Sequence, residues 1–469
     1  MTIEREAYSI ASGETPGTTI ETARRHGPLA PLRKRNFSLL FWGQLISVLG
    51  DQAYSLALPW TVLIVTGDPQ QMAIVLAAEA LPQMLFLLIG GALADRLSPR
   101  LVMLAADLGR AGVVGALGLA LITGLPPLWL VALLAGLQGV GSGIFTPGSQ
   151  ALLPRTVEAD DLPAANGLMQ ITRFLGLTLG PVLGGVATAA QAVIAFLADA
   201  ASFLASALTL FGIRLPARQA APSSATGVDA QGARGEAADG ARLAGMFADI
   251  GAGIGYTFRQ PLLRTTMVVT VLGNFALSGA FGIALVVLIN QLTHSAFALG
   301  LVSAALGVGG IVGGLGASLL GRARRRGVVT LILWAFMALA VAAIPLAAGG
   351  AAQLPFGLDP SGLGIRSLQT LGVEGRIGLI AALFGIVGFI LSIGDTLFLT
   401  IMQQRIAPEY MARVFSVQFV AGGIAQPLSL VAAGYVAVNL GAGTVFLAAG
   451  ALFLLAICIG LASREMRRV

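Results

Sequence analysis

The chain has 469 residues, 56% hydrophobic and only 11% charged, with a formal net charge of +6. A soluble domain carries about 25% charged residues, so a soluble fold of this composition would leave a large apolar surface in water; the balance points to an all-α, polytopic membrane protein. Lys34 is the only lysine, and the arginines sit in short loops between apolar runs, a topogenic pattern that argues against a nucleic-acid partner.

Residues 1–35 are polar and lack the apolar core of a cleavable signal peptide, so they are expected to form a cytoplasmic N-terminal tail. Apolar runs of about 20 residues, each able to cross ~30 Å of hydrocarbon, then follow near 37–65, 71–94, 101–123, 127–147, 164–187 and 190–213. A stretch rich in Ala, Gly and Ser at 215–242 reads as a flexible linker. Within 244–262, Met246, Ile250, Ile254 and Phe258 recur at spacing four, the pattern of an amphipathic surface helix. Six more runs lie near 263–290, 296–321, 328–348, 377–402, 413–438 and 440–463. The expected organisation is an N-terminal six-helix bundle (36–213), a cytoplasmic linker (214–262), a C-terminal six-helix bundle (263–464) and a short cytoplasmic tail (465–469).

Arginines fix the expected orientation. Arg33 to Arg35, Arg96, Arg100, Arg155, Arg214 to Arg264, Arg322 to Arg326, Arg405, Arg413 and Arg464 to Arg468 all fall on one side. The other side has short loops without Lys or Arg and one longer loop, 349–376, with Arg366 and Arg376. The positive-inside rule places the first side, and both termini, in the cytoplasm.

Histidine and cysteine chemistry has little material. His26 and His294 lie in the tail and a short loop, and Cys458 is the only cysteine. No metal cluster, catalytic triad or nucleotide loop is legible, and no cofactor is expected; Gly139-Val140-Gly141 and Gly307-Val308-Gly309 lie inside apolar runs with no strand before them. A membrane-embedded enzyme would need a convergent acid–base or metal site that the spacing does not supply.

Ionisable residues inside spans are costly and are functional candidates by default. Asp51 lies about 21 Å along span one, near mid-bilayer. Glu79 is at similar or shallower depth in span two, Arg173 is in span five, Asp199 in the outer half of span six and Asp395 in the inner half of span ten. All five are candidates for proton coupling or cargo binding, and a structural ion pair is the alternative for each. Burial disfavours the charged form of a carboxylate, the property a proton carrier needs. Arg173 is a candidate counter-charge for Asp51 or Glu79, or a holder of anionic cargo. Asp107 and Arg110, three apart in span three, have the spacing of a local ion pair. Gln83, Gln138, Asn274 and Gln418 are polar enough to line a cavity or to bond between helices.

Two motifs stand out. Gly91-Ala92-Leu93-Ala94-Asp95-Arg96-Leu97-Ser98-Pro99-Arg100 is a charged, turn-forming knot between spans two and three. Asp95, Arg96 and Arg100 are candidates for a latch at the cytoplasmic mouth; a topogenic loop with a capping Asp is the alternative. In span five Gly176, Gly180 and Gly184 share one helix face and Pro181 removes a backbone bond, so a packing seam and a hinge are both expected there. A short echo relates the halves, Gly91 to Arg96 answering Ala317 to Arg322, and Gln150 and Pro154 answering Gln404 and Pro408.

Both motifs resemble signatures of the major facilitator superfamily, the second that of its proton-driven exporters. Further strings, Gly50-Asp51, Leu58-Pro59-Trp60, Ala80-Leu81-Pro82 and Phe145-Thr146-Pro147 through Ala151-Leu152-Leu153-Pro154, resemble the bacterial branch that includes macrolide efflux pumps and the enterobactin exporter. The family's usual span-four arginine is replaced by Ala135, and Gly321 stands where a second-half copy of Asp95 would be. The resemblance implies a monomeric, multi-pass secondary exporter of the bacterial cytoplasmic membrane. It would work by alternating access, driven by an ion gradient, with a hydrophobic or amphiphilic small molecule as cargo. A siderophore or other anionic metabolite, and a lysolipid, are alternative cargoes; a non-transporting receptor is the alternative from another class.

Overall fold

The computed structural model describes residues 29–124, 126–214, 254–320, 326–349, 371–406 and 408–468. Every regular element among them is helical. Twelve helices are long and apolar enough to cross a membrane. In the first half these are α1 (Arg35–Thr66), α2 (Pro69–Arg96), α3 (Pro99–Thr123), α4 (Leu128–Leu152), α5 (Leu162–Ala190) and α6 (Ala192–Gly212). In the second they are α7 (Pro261–Thr293), α8 (Ala296–Leu320), α9 (Arg326–Ala348), α10 (Val373–Arg405), α11 (Pro408–Leu440) and α12 (Ala442–Ala462). A short α13 (Arg464–Arg468) ends the described chain.

Prolines shape the ends and the interiors. Pro69, Pro99 and Pro261 open their helices at the first turn, where a missing N–H costs nothing. Asp68 caps α2 by accepting from Gln70 N at 2.8 Å. Pro59, Pro82, Pro147, Pro181, Pro345 and Pro427 stand inside helices, as membrane helices tolerate. Helix α4 therefore runs past Pro147 to Leu152 rather than stopping there. In α7 the residues Ala280–Ala284 form a π turn, a geometry concentrated at functional sites.

Apolar side chains cover the outside of the bundle. Leu208, Phe211, Trp129, Leu315 and Phe336 are each at least 60% exposed, the reverse of a soluble surface and what a lipid solvent permits. The two halves repeat one packing scheme: α1 on α5 and α6, α2 on α4, and α3 on α4 and α6 are matched by α7 on α11 and α12, α8 on α10, and α9 on α10 and α12. The halves meet mainly through α2 against α11 and α5 against α8.

One end of the bundle holds Lys34, Arg35, Arg100, Arg155, Arg214, Arg264, Arg326, Arg405 and Arg464; at the other end Arg376 is the only Lys or Arg among the described residues. At the arginine-rich end Lys34 Nζ meets Asp161 Oδ2 at 2.7 Å and Glu158 Oε1 at 2.8 Å, tying the start of α1 to the α4–α5 connection. Bonding to Asp161, then to Glu158, pushes the Lys34 ammonium above its ordinary value. Asn36 exchanges two hydrogen bonds with the Arg214 backbone and closes α1 onto the end of α6. The expected surface helix is helical over its described part, 254–259, where Ile254 and Phe258 are exposed; Met246 and Ile250 lie outside the described residues, as do most of the tail and the 215–242 linker.

At the far end the halves touch backbone to backbone. A Cβ on Gly185 of α5 would lie 2.8 Å from Ala296 O and 3.2 Å from Gly300 Cα of α8. Gly434 of α11 is equally tight against Pro69 O and Ala73 of α2.

Candidate functional site

Helix α1 carries the centre of the site. Its glycine at position 50 admits α6 so closely that a Cβ there would lie 2.5 Å from Asp199 Oδ1. Gly176, Gly180 and Gly184 of α5 all press on α1, against Val48, Gln52 and Ala53; a Cβ on Gly184 would lie 2.7 Å from Ala53 Cα. The glycine stripe is thus the seam that fixes α1 beside α5. Pro181 also leaves the Leu177 carbonyl without its helical donor, and that carbonyl abuts Gly307 of α8.

An arginine clamp sits behind Asp51. Arg110 of α3 is 2% exposed, and its guanidinium lies 4.1 Å from the ring centroid of Phe203 on α6 and 4.2 Å from that of Phe145 on α4. Arg110 Nη2 donates to Asp107 Oδ1, as the three-residue spacing predicts. Arg110 Nη1 also reaches Asp51 Oδ2 at 3.5 Å, a long contact to a side chain that remains 33% exposed. Asp107 and two aromatic faces therefore hold the cation, and Asp51 is its loosest partner.

Two further carboxylates share this neighbourhood. Glu79 of α2 is half-buried, and the charge of Asp51 acts on it. Asp199 is 0% exposed; its Oδ1 accepts from Ser202 Oγ at 3.1 Å, and its Oδ2 has no partner among the described residues. Tyr54, one turn from Asp51 and 2% exposed, stacks edge-on against Phe196, and its hydroxyl is likewise unpartnered.

Arg173 does not join this group. It follows the spacing of Leu177 and Pro181, is exposed, and its charge acts on Asp395 of α10, across the gap between halves. The counter-charge of Asp51 is Arg110, not Arg173, because Arg173 lies on the α5 face that looks to the second half. Arg100 also stays within its own half, donating to Leu210 O at 2.8 Å and Phe211 O at 2.7 Å, so it caps the end of α6. The side chains of Asp95 and Arg96 lie outside the described set.

A cavity of about 200 Å³ opens between the halves, next to the site. Gln52, Ser55 and Pro59 of α1, Leu177 and Pro181 of α5, Phe281 and Leu285 at the α7 π turn, and Ser303 of α8 are among its walls. Among the described residues, no Asp, Glu, Lys, Arg or His lines it. Of the polar cavity candidates, Gln83 and Asn274 are exposed. Gln138 is 1% exposed and Gln418 is 7% exposed, the latter donating to Thr266 Oγ1 at 3.1 Å and so bonding α11 to α7. Ser55 and Ser303, which sequence reasoning missed, take their place; Ser55 follows Asp51 at spacing four, which was the available signal.

The Major Facilitator Superfamily family model matches residues 40–429. The chain is 27% identical over 440 residues to the multidrug efflux pump Tap of Mycolicibacterium fortuitum, covering 91% of this chain and 93% of that protein. It is 31% identical over 161 residues to the enterobactin exporter EntS of Citrobacter koseri, covering 34% of this chain and 38% of that one. Among solved structures, a bacterial homologue of the iron transporter ferroportin in its inward-facing state superposes with a TM-score of 0.62 at 14% identity, covering 91% of this chain and 98% of the other.

Proposed function

The chain belongs to the Major Facilitator Superfamily, and from that premise we propose that it exports a hydrophobic or amphiphilic small molecule across the bacterial cytoplasmic membrane in exchange for protons. It is a transporter and not an enzyme, with exporters among its relatives. The observation that carries the cargo reading is the inter-half cavity: its walls are apolar with a few small polar groups, the composition of a site for a neutral or weakly polar surface. An anionic cargo finds less support, because Arg173, the exposed cation at membrane depth, already shares its field with Asp395.

Asp51 is the coupling group in this reading. It is partly open, its neighbour Gln52 lines the cavity, and it is the partner that Arg110 holds most weakly. Protonation would release Asp51 from Arg110, and deprotonation would restore the contact. The glycine seam ties α1 to α5, and α5 bears on α8, so a change at Asp51 reaches the interface of the halves through two packed helices. The arginine-rich end is the cytoplasmic one. The tight far-end contacts support reading this conformation as closed to the outside, one of the two states that alternating access requires.

The test is reconstitution of the full chain in liposomes containing a pH-sensitive dye, with an imposed proton gradient and a panel of macrolides, cationic dyes and siderophores. Cargo-dependent proton flux that Asp51→Asn abolishes is the expected result. Flux unchanged in the variant would remove Asp51 from the coupling path, and flux with siderophores alone would replace the cargo class.

A further inference from the structure

We propose that Ser429 of α11 is a positioning residue for the inter-half cavity: its hydroxyl bridges one helical hydrogen-bond pair of α7, opens the π turn that follows and so sets which side chains of α7 face the cargo. That these side chains face cargo rests on the transport reading above.

An unbroken α-helix pairs each N–H with the carbonyl four residues back. In α7 that rule joins Gly279 N to Phe275 O. Both groups bond the Ser429 hydroxyl: Gly279 N donates to Ser429 Oγ at 2.8 Å, and Ser429 Oγ donates to Phe275 O. The irregularity continues at once. Ala280 N donates three residues back, to Leu277 O, and Leu285 N donates five residues back, to Ala280 O. The π turn Ala280–Ala284 therefore begins at the residue after the Ser429 contact. A glycine makes the approach possible: a Cβ on Gly279 would lie 2.8 Å from Ser429 Oγ and 2.5 Å from Ala433 Cβ.

A hydroxyl inside a membrane helix ordinarily turns back on its own backbone. Thr146, Thr265 and Thr396 do so, each donating to the carbonyl four residues back at 3.0, 2.9 and 2.8 Å. Ser429, which is 3% exposed, leaves its own helix and takes both members of one pair, beside the point where α7 changes its winding. A hydroxyl can hold both because it donates and accepts at once; a methyl group can hold neither.

The consequence is a change of phase. A π turn holds one residue more than an α turn, so the residues beyond it are set about 100° from the phase of an unbroken helix. Phe281, Gly282, Leu285 and Val286 line the cavity, whereas Ala284 is 0% exposed and lies behind them in the core. Winding α7 as a continuous α-helix would advance this pattern by one residue, giving the place of Val286 to Leu285 and that of Leu285 to Ala284. The wall would lose an isopropyl group and gain a methyl. A residue that stands outside the cavity thus sets its width.

The test reads that phase directly. Full-length protein carrying Cys458→Ser, which removes the chain's only cysteine, receives a single thiol as Ala284→Cys or Val286→Cys. The rate of alkylation by N-ethylmaleimide in detergent is followed at each position by mass spectrometry, with Ser429, Ser429→Ala and Ser429→Thr. With Ser429 the thiol at 286 is expected to react several-fold faster than that at 284. Ser429→Ala is expected to reverse the order, and Ser429→Thr, which keeps the hydroxyl, to retain it. An unchanged order in Ser429→Ala, or a common rise at both positions such as general loosening gives, would overturn the proposal. If Ser429→Ala fails to give a monodisperse protein, Ser429→Cys keeps a similar volume with a weaker donor, and peptide-level analysis separates its own thiol. It is expected to narrow the ratio of the two rates, and an unmoved ratio would equally overturn the proposal. No cargo or gradient enters the measurement, so failure of the export reading leaves a reversed order standing, and an unchanged order leaves the export reading intact.

Discussion

The guanidinium of Arg110 lies 4.1 Å from the ring centroid of Phe203, with the ring of Phe145 at 4.2 Å. Two aromatic faces from different helices, together with Asp107, decide where this charge rests. That leaves Asp51 as the partner free to leave. Phe203→Leu keeps an apolar side chain, leaves a small void in the core and removes one face. Its expected cost is about 1–2 kcal/mol in unfolding free energy, the worth of a desolvated cation–π contact, read by thermal unfolding in detergent. Coupled flux should fall with it, because the cation loses its anchor.

The α1–α5 seam makes a sharp positional prediction. Gly184→Ala places a methyl 2.7 Å from Ala53 Cα, which is backbone and cannot swing aside. The expected penalty is about 1–3 kcal/mol of overpacking. Gly167→Ala on the same helix meets nothing within 4 Å and should be neutral or stabilising by up to about 1 kcal/mol. Thermal unfolding and export by the two variants separate a packing seam from a tolerant helix.

The charge of Arg173 acts on Asp395 from the opposite half. Arg173→Gln alone leaves a carboxylate at membrane depth without its balancing field, and export is expected to drop several-fold. Adding Asp395→Asn should recover part of the loss. A double-mutant cycle on initial export rates measures the coupling; strict additivity would show that the two charges act independently.

The Lys34 contacts carry a pH signature of known sign. The folded-state value is raised above the ordinary 10.5 by Asp161 first and Glu158 second. The stabilisation is therefore complete below the unfolded value and disappears as pH rises through the folded one. Lys34→Gln is expected to cost no more than about 1 kcal/mol at neutral pH, since the pair is partly solvated. The gap between the two unfolding curves should close in strongly alkaline buffer.

The spans were legible in the sequence because hydrocarbon demands long apolar runs, and their ends lie within a few residues of expectation at most positions. Helix α11 starts at Pro408 rather than near 413, since Pro at a first turn opens a helix as readily as it ends one. Asp51 was legible from its depth. Its partner was not: Arg110 satisfies a local rule with Asp107, and nothing in a single sequence announces a contact between residues 59 apart. Position within span five makes Arg173 a candidate counter-charge for Asp51 or Glu79, or a holder of anionic cargo, whereas helical phase, shared with Leu177 and Pro181, sends it toward the second half. Arg100 lies at the arginine-rich end as its motif implies, and there the bare carbonyls at the end of α6 claim its donors, a partner the motif does not announce.

The far-end seam, where Gly185 meets Ala296 and Gly300 and where Gly434 meets Ala73, has a mechanical consequence. At Gly185, Ala296, Gly300, Gly434 and Ala73 the surfaces in contact are backbone and methyl groups, so parting them at these positions requires no long side chain to change rotamer. The halves can separate there as rigid plates, with resistance that comes from dispersion and grows with the area in contact. A bulky side chain added to either plate would act as a wedge, forcing the halves apart at this end and lowering the unfolding temperature.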